Sequence, residues 1–170
     1  IITNYEDSKT EELLSENGPT ESMGKRNLTF GKELWIERED FMEVPAKKWF
    51  RLAPGSMVRL KSAYIVKCES FTKDESGNIL EVHCTYIPES KSGSDSSGIN
   101  VKGTIHWVSA ANAAFAEVRL YDRLFTNENP LAVEGDFKDT INPNSLQIIA
   151  KAVIEPPLKQ ANVDNRYQFI

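Results

Sequence analysis

Apolar and polar residues alternate along much of this chain with a period of two, the pattern of strands that bury one face. The clearest unit is a pair of runs, "SMVRLKSAYIVKCESF" and "ILEVHCTYI", on either side of "TKDESGN". Asp, Ser, Gly and Asn between two such runs predict a hairpin. With the turn centred near Ser76, Cys68 faces Cys84 and Val66 faces Tyr86. Tyr64, Val66, Cys68, Leu80, Val82, Cys84 and Tyr86 then share a core face, while Lys67, Glu69, Glu81, His83 and Thr85 share a wet one. In "LTFGKELWIERED", Leu34 and Ile36 point one way and Trp35 and Glu37 the other. "VKGTIHWVSA" sets Val101, Gly103, Ile105 and Trp107 against Lys102, Thr104, His106 and Val108. "LQIIAKAVIEP" reads as a further strand, stopped by Pro156-Pro157.

Other stretches are less regular. "EELL" is too short to stand as a helix. "REDFMEVPAKKWFRLAPGS" is more helical, with Asp40 as a cap, Pro45 as an interruption and Pro54-Gly55 as the closing turn. "FAEVRLYDRLF" favours a strand by its β-branched and aromatic content, with a helix still open over Tyr121–Phe125. "PESKSGSDSSGIN" is a polar loop expected to be mobile. "LAVEGDFKDTINPNS" is an acidic loop, and "LKQANVDNRYQFI" is a turn leading into a last strand. Many short strands punctuated by Gly, Pro and Asn indicate an all-β barrel or sandwich class.

The 170 residues, 40% apolar and 26% charged, suffice for one domain or two small ones with a packed core. No stretch approaches the roughly 20 apolar residues of a membrane span, and no leader is visible. A cytoplasmic location is expected. The first residue is not Met and the last, Ile170, falls in mid-pattern, so the chain reads as a fragment of a longer protein. Cys68 and Cys84 are too few for a disulfide scaffold and, with His83 and His106, lack zinc-ligand spacing. They are expected to be reduced and to pack.

Net charge is −5, which argues weakly against a nucleic-acid partner until its distribution is considered. Between Val44 and Cys68 lie Lys47, Lys48, Arg51, Arg59, Lys61 and Lys67 and no acid. Taking those six positive charges from −5 leaves −11 on the remainder. A basic patch on an acidic body suits a selective polyanion binder. The bland alternative is a solvated face paired with acids from elsewhere. Lys47, Lys48, Trp49, Phe50 and Arg51 put cations beside aromatics, a mixture that suits unstacked RNA bases; the competing reading makes Trp49 and Phe50 core. Arg59 and Lys61, two apart in a strand, project from one face.

Catalytic constellations are missing. There is no Gly-rich phosphate loop and no nucleophile elbow. His83 reads as surface, and His106 has no nucleophile or carboxylate at a telling spacing. Glu39-Asp40 reads as capping charge.

On "IITNY", "MGKRNLTFGKELWIEREDF", "RLAPGSMVRLKSAYIVK", "GNILEVHCTY", "VKGTIHWVSAANAAFAEVRLYDRLFT", "INPNSL" and "NRYQFI", the chain resembles the C-terminal anticodon-binding region of glutaminyl-tRNA synthetases, in order and over nearly its whole length. The resemblance implies two antiparallel β-barrels: a distal one, residues 45–126, inserted in a proximal one, residues 1–44 and 127–170, incomplete at its C-terminal end. His106 and Trp107 would be architectural. The implied anticodon contacts are Lys48, Arg51, Arg59, Lys61 and Gln168. Phe50 stands where the family's bacterial pattern has a lysine, and Lys61 where it has an arginine, which loses the planar fork. The arginine expected soon after Gln168 lies beyond Ile170.

The implied partners are the anticodon loop of glutamine tRNA and a catalytic domain of the same chain, with no membrane. The H-x-G-H and K-M-S-K-S signatures of that catalytic domain are not in this sequence. ATP and magnesium would therefore belong to the catalytic domain, and this fragment would need no cofactor and carry no catalytic centre. Rival readings are a related glutamyl-tRNA synthetase, a stand-alone β-barrel that binds structural RNA, and a protein-docking domain.

Overall fold

A computed structural model describes residues 1–170. Ten strands carry the fold: β1 (Glu11–Glu16), β2 (Lys25–Phe30), β3 (Leu34–Trp35), β4 (Met57–Leu60), β5 (Ile65–Lys73), β6 (Ile79–Ile87), β7 (Thr104–Ile105), β8 (Val108–Ser109), β9 (Ala114–Tyr121) and β10 (Leu146–Ile154). The helical elements are 3₁₀ turns of five residues or fewer, and none is long and apolar enough to cross a membrane. The strands form a four-stranded sheet, β6-β5-β4-β7, and three two-stranded ones, β1-β2, β3-β8 and β9-β10. The all-β class thus holds, while no sheet closes on itself through its ladder.

The chain divides into two compact units, residues 1–113 with 155–170, and residues 114–154. The first holds the core. Phe30 is fully buried, with Tyr5, Tyr64 and Trp107 around it at ring separations of 5.1, 5.2 and 5.4 Å. Buried aromatic pairs in such edge-on or tilted contact each add about 1 kcal/mol beyond their area. The Trp107 indole N–H donates to the Lys61 carbonyl at 2.9 Å, so the ring is buried without an orphaned donor. Leu34 and Ile36 pack against this core while Trp35 is 55% exposed, as their alternation predicts.

The β5–β6 hairpin has the expected pairs, Cys68 with Cys84 and Val66 with Tyr86, and both thiols are free and buried. Desolvation and the neighbouring thiol push Cys84 up to about 12. Two register shifts interrupt the pairing, between Cys68 and Ser70 and between Thr72 and Lys73. A bulge reverses which side chains face inward beyond it. Phe71 and Ile79 therefore reach the core, and Leu80, expected inside, is 64% exposed.

Three further expectations fail. The segment read as helical forms only a 3₁₀ turn at Arg38–Asp40, where Asp40 caps nothing and is buried. Pro45 and the extended Phe41–Leu52 bridge leave no room for a longer helix. Residues after the Pro156–Gln160 turn join no ladder; they are held by the Gln168 amide donating to the Asn17 carbonyl at 2.8 Å and by side chains. "VKGTIHWVSA" is two short strands, not one.

The second unit is the β9–β10 hairpin with its connecting loop. Its register, Tyr121 with Leu146 and Val118 with Ile149, breaks between Ile149 and Ala152. The strand reading of "FAEVRLY" holds, and no helix follows it.

Candidate nucleic-acid interface

The basic segment folds into a loop and a strand that meet at one groove. The Leu52 amide donates to the Asp40 carbonyl at 2.9 Å and the Met42 amide to the Leu52 carbonyl at 3.0 Å. These bonds close residues 43–51 into a loop. At its tip the Trp49 amide donates to the Ala46 carbonyl at 3.1 Å, with Lys48 in the left-handed region at φ 67°. A non-glycine residue held there costs of order 1–2 kcal/mol and marks a position worth asking about. The Trp49 indole donates to the Leu52 carbonyl at 2.9 Å, which turns Phe50 outward, 49% exposed.

The loop lies on the β4–β7 edge because residue 103 is glycine. A Cβ there would stand 1.7 Å from the Phe50 carbonyl oxygen and 2.8 Å from its carbon. Both are backbone atoms, so no side-chain rotation relieves the clash. The close approach brings Lys48, Phe50 and Arg51 beside Lys61, Lys102 and Thr104 in a groove of about 550 Å³. Its four cations comprise three lysines without any ion-pair partner and Arg51, whose Nη1 lies 2.9 Å from Asp40. Burial pushes the Asp40 carboxyl above its ordinary value, although Arg51 pulls it down. Arg51 keeps 42% of its side chain exposed, so Asp40 orients it without hiding it. Excess positive charge beside an exposed ring matches the electrostatics and stacking needs of a single-stranded nucleic acid.

Of the five residues expected to contact RNA, three meet in this groove: Lys48, Arg51 and Lys61. Arg59 lies in β4 and Lys61 in the turn just after it, and Arg59 does not line the groove. Its guanidinium donates to the Ser90 carbonyl at 2.7 Å and to Ser92 Oγ at 3.3 Å, and pairs with Asp95 at 2.5 Å. It ties down the polar loop. The Ser92 amide, donating to the Ala63 carbonyl at 2.8 Å, holds the same loop. Gln168 is also apart: its side-chain amide donates to the Ile170 carbonyl at 2.9 Å. Ile170 itself lines the groove.

Sequence reasoning missed Lys102. Its Nζ lies 5.4 Å from the Phe50 ring centroid, yet it comes from the bend before β7, 52 positions after Phe50. The available signal was its alternation with buried Gly103 and Ile105, which sets Lys102 and Thr104 on one outward face.

A buried cluster seats the last residues. Arg26 donates to both Glu155 carboxylate oxygens, and His106 Nε2 lies 2.9 Å from Glu155 Oε1. Arg26 also donates to the Glu16 carbonyl at 3.0 Å and the Gln168 carbonyl at 3.2 Å, under the Phe169 ring at 5.3 Å. Burial raises the Glu155 carboxyl, but hydrogen bonds from His106 and Arg26 and the Arg26 charge outweigh it and hold it below its ordinary value. His106 thus has the carboxylate partner that its sequence surroundings did not reveal. No cluster of three or more His, Cys, Asp or Glu side chains is placed to hold a metal. A second cavity, about 450 Å³, is mainly apolar, and its charged lining of Glu33, Glu37 and Glu81 against Arg38 has the wrong sign for a polyanion.

The family described as "tRNA synthetases class I (E and Q), anti-codon binding domain" matches residues 1–87, and a second domain family of the same description matches residues 104–170. The chain belongs to this anticodon-binding family. Among curated relatives, it is similar to a glutamine–tRNA ligase of Clostridium perfringens, 53% identical over 170 residues. Another such ligase, from Cupriavidus necator, is 49% identical over 171 residues. A third, from Clostridioides difficile, is 48% identical over 171. These matches cover 99–100% of this chain but only 31%, 29% and 31% of the relatives; the chain spans about a third of their length.

Proposed function

We propose that this chain is the anticodon-recognition module of a glutamine–tRNA ligase. Lys48, Arg51 and Lys61 take the phosphates and base edges of the unpaired anticodon nucleotides, and Gln168 lies on the path of the same strand. Arg59 joins them by exchanging Asp95 for RNA. The observation that carries this reading is the groove of four cations, three of them unpaired, in a chain about half identical to such ligases along its whole length. The parent protein would join glutamine to its tRNA in a separate catalytic domain of the same chain, using ATP and magnesium there. The cytoplasm is where that substrate would be met. The two-barrel division, residues 45–126 set into 1–44 with 127–170, belongs to the same proposal. All four strands of the largest sheet fall within 45–126, which supports it.

The family description covers glutamate as well as glutamine enzymes, so glutamate tRNA is the competing ligand. Titration of the 170-residue chain with anticodon stem-loops of the two tRNAs separates them. Tighter, salt-sensitive binding of the glutamine stem-loop is expected, and equal or reversed affinities would overturn the assignment.

A further inference from the structure

Phe50 is a large apolar ring left half in solvent inside a cationic groove. Its exposure is built in. The adjacent Trp49 is pinned by its indole hydrogen bond, and the Phe50 carbonyl is pressed against Gly103. Lys102, in the bend before β7, stands over the ring at 5.4 Å. An aromatic face flanked by a cation is what a nucleobase stacks on in sequence-tolerant single-strand binding, and the lysine adds a charge for the adjoining phosphate.

We propose that Phe50 and Lys102 form a stacking platform for one unpaired nucleotide. Phe50 supplies the π face, Lys102 the phosphate contact, and Arg51 and Lys61 read or neutralise the neighbouring nucleotides. This rests on the anticodon-recognition reading and deepens it: one subsite of the groove works by stacking, with little dependence on base identity.

The test uses the 170-residue chain and a hairpin RNA with the glutamine anticodon loop, carrying 2-aminopurine at each unpaired position in turn. One position should lose fluorescence on binding, as the base stacks. Phe50→Leu, which keeps apolar bulk and removes the π face, should abolish that quenching and weaken binding about ten-fold. Phe50→Tyr should preserve both. Lys102→Gln should keep the quenching and lower the salt slope of log K by about 0.7. If Phe50→Leu binds and quenches like the parent chain, the platform is wrong while the anticodon reading stands. If the unsubstituted chain does not prefer this hairpin to one with a scrambled loop, both fall. Thermal melts of each variant exclude unfolding as the cause.

Discussion

The groove and the Arg26–Glu155 cluster use the same kinds of charged residue to opposite ends. Arg26 and Glu155 are nearly inaccessible, at 3% and 1% side-chain exposure, and Arg26 spends its donors on Glu155, Glu16, Asn17 and Gln168. In the groove, Lys48, Lys61 and Lys102 have no carboxylate partner, and Arg51 keeps an open face. Charge alone therefore does not set the two regions apart; pairing and exposure do. Arg59 stands between the two cases, basic, semi-exposed and fully engaged by Ser90, Ser92 and Asp95.

The comparison breaks first where charge is buried. Glu155→Ala leaves Arg26 buried without its counterion, and removing one partner of such a pair costs about 3–5 kcal/mol. Urea unfolding should show that loss, with RNA affinity falling only as far as the folded fraction does. The same carboxylate sets a pH dependence. Its pKa is lowered on folding, so its stabilisation is present above the unfolded carboxylate range and is lost as pH falls through the folded value. Asp40, raised by burial, has the opposite sign, since its ionisation disfavours the fold. Subtracting the Glu155→Gln profile from that of the parent chain isolates the Glu155 term, and an acid-side difference of zero would refute its ionised role.

Gly103→Ala should be next in size. The added Cβ meets the Phe50 backbone carbonyl, so the loop must leave the β4–β7 edge, at a cost of about 1–3 kcal/mol for forced overpacking. Unlike Glu155→Ala, this change should lower RNA affinity even when all of the protein is folded, because it separates Phe50 from Lys102. Binding titrations well below the melting temperature distinguish the two.

Lys61→Ala carries the contrast to the open side. Its stability should stay within about 0.5 kcal/mol of the parent, while the salt slope of log K falls by about 0.7, one single-strand phosphate contact. An unchanged slope would remove Lys61 from the interface.

What the sequence revealed follows the same line between local and non-local. Period-two patterns placed the β5–β6 hairpin and its Cys68–Cys84 register, because alternation and turn chemistry are written within a few residues. Leu80 went wrong because a bulge changes facing without changing composition. The segment after Asp40 was misread because helical spacing over so few residues is outweighed by Pro45 and by a bridge from Phe41 to Leu52. For the site, Lys48, Arg51 and Lys61 were legible as a dense basic run. Lys102 and the engagement of Arg59 by Asp95 were not, since each depends on a partner more than 30 positions away that only the folded backbone brings near. His106 and Glu155, 49 positions apart, were invisible as a pair for the same reason.

The smallest effect gives the sharpest separation of stability from function. Lys48 sits at φ 67° at the turn that starts the groove, where a side chain costs about 1–2 kcal/mol. Glycine removes that cost and adds about 0.5–1 kcal/mol of backbone entropy to lose on folding. Lys48→Gly should therefore stabilise the chain by about 0.5 kcal/mol while removing one unpaired cation from the groove. Urea midpoints should rise slightly and RNA affinity should fall. A residue kept only for the fold would show the reverse order, with glycine costing nothing in binding. Lower affinity at higher stability would mean that the strained lysine is kept for its charge at that place, and that the loop accepts backbone strain to present it.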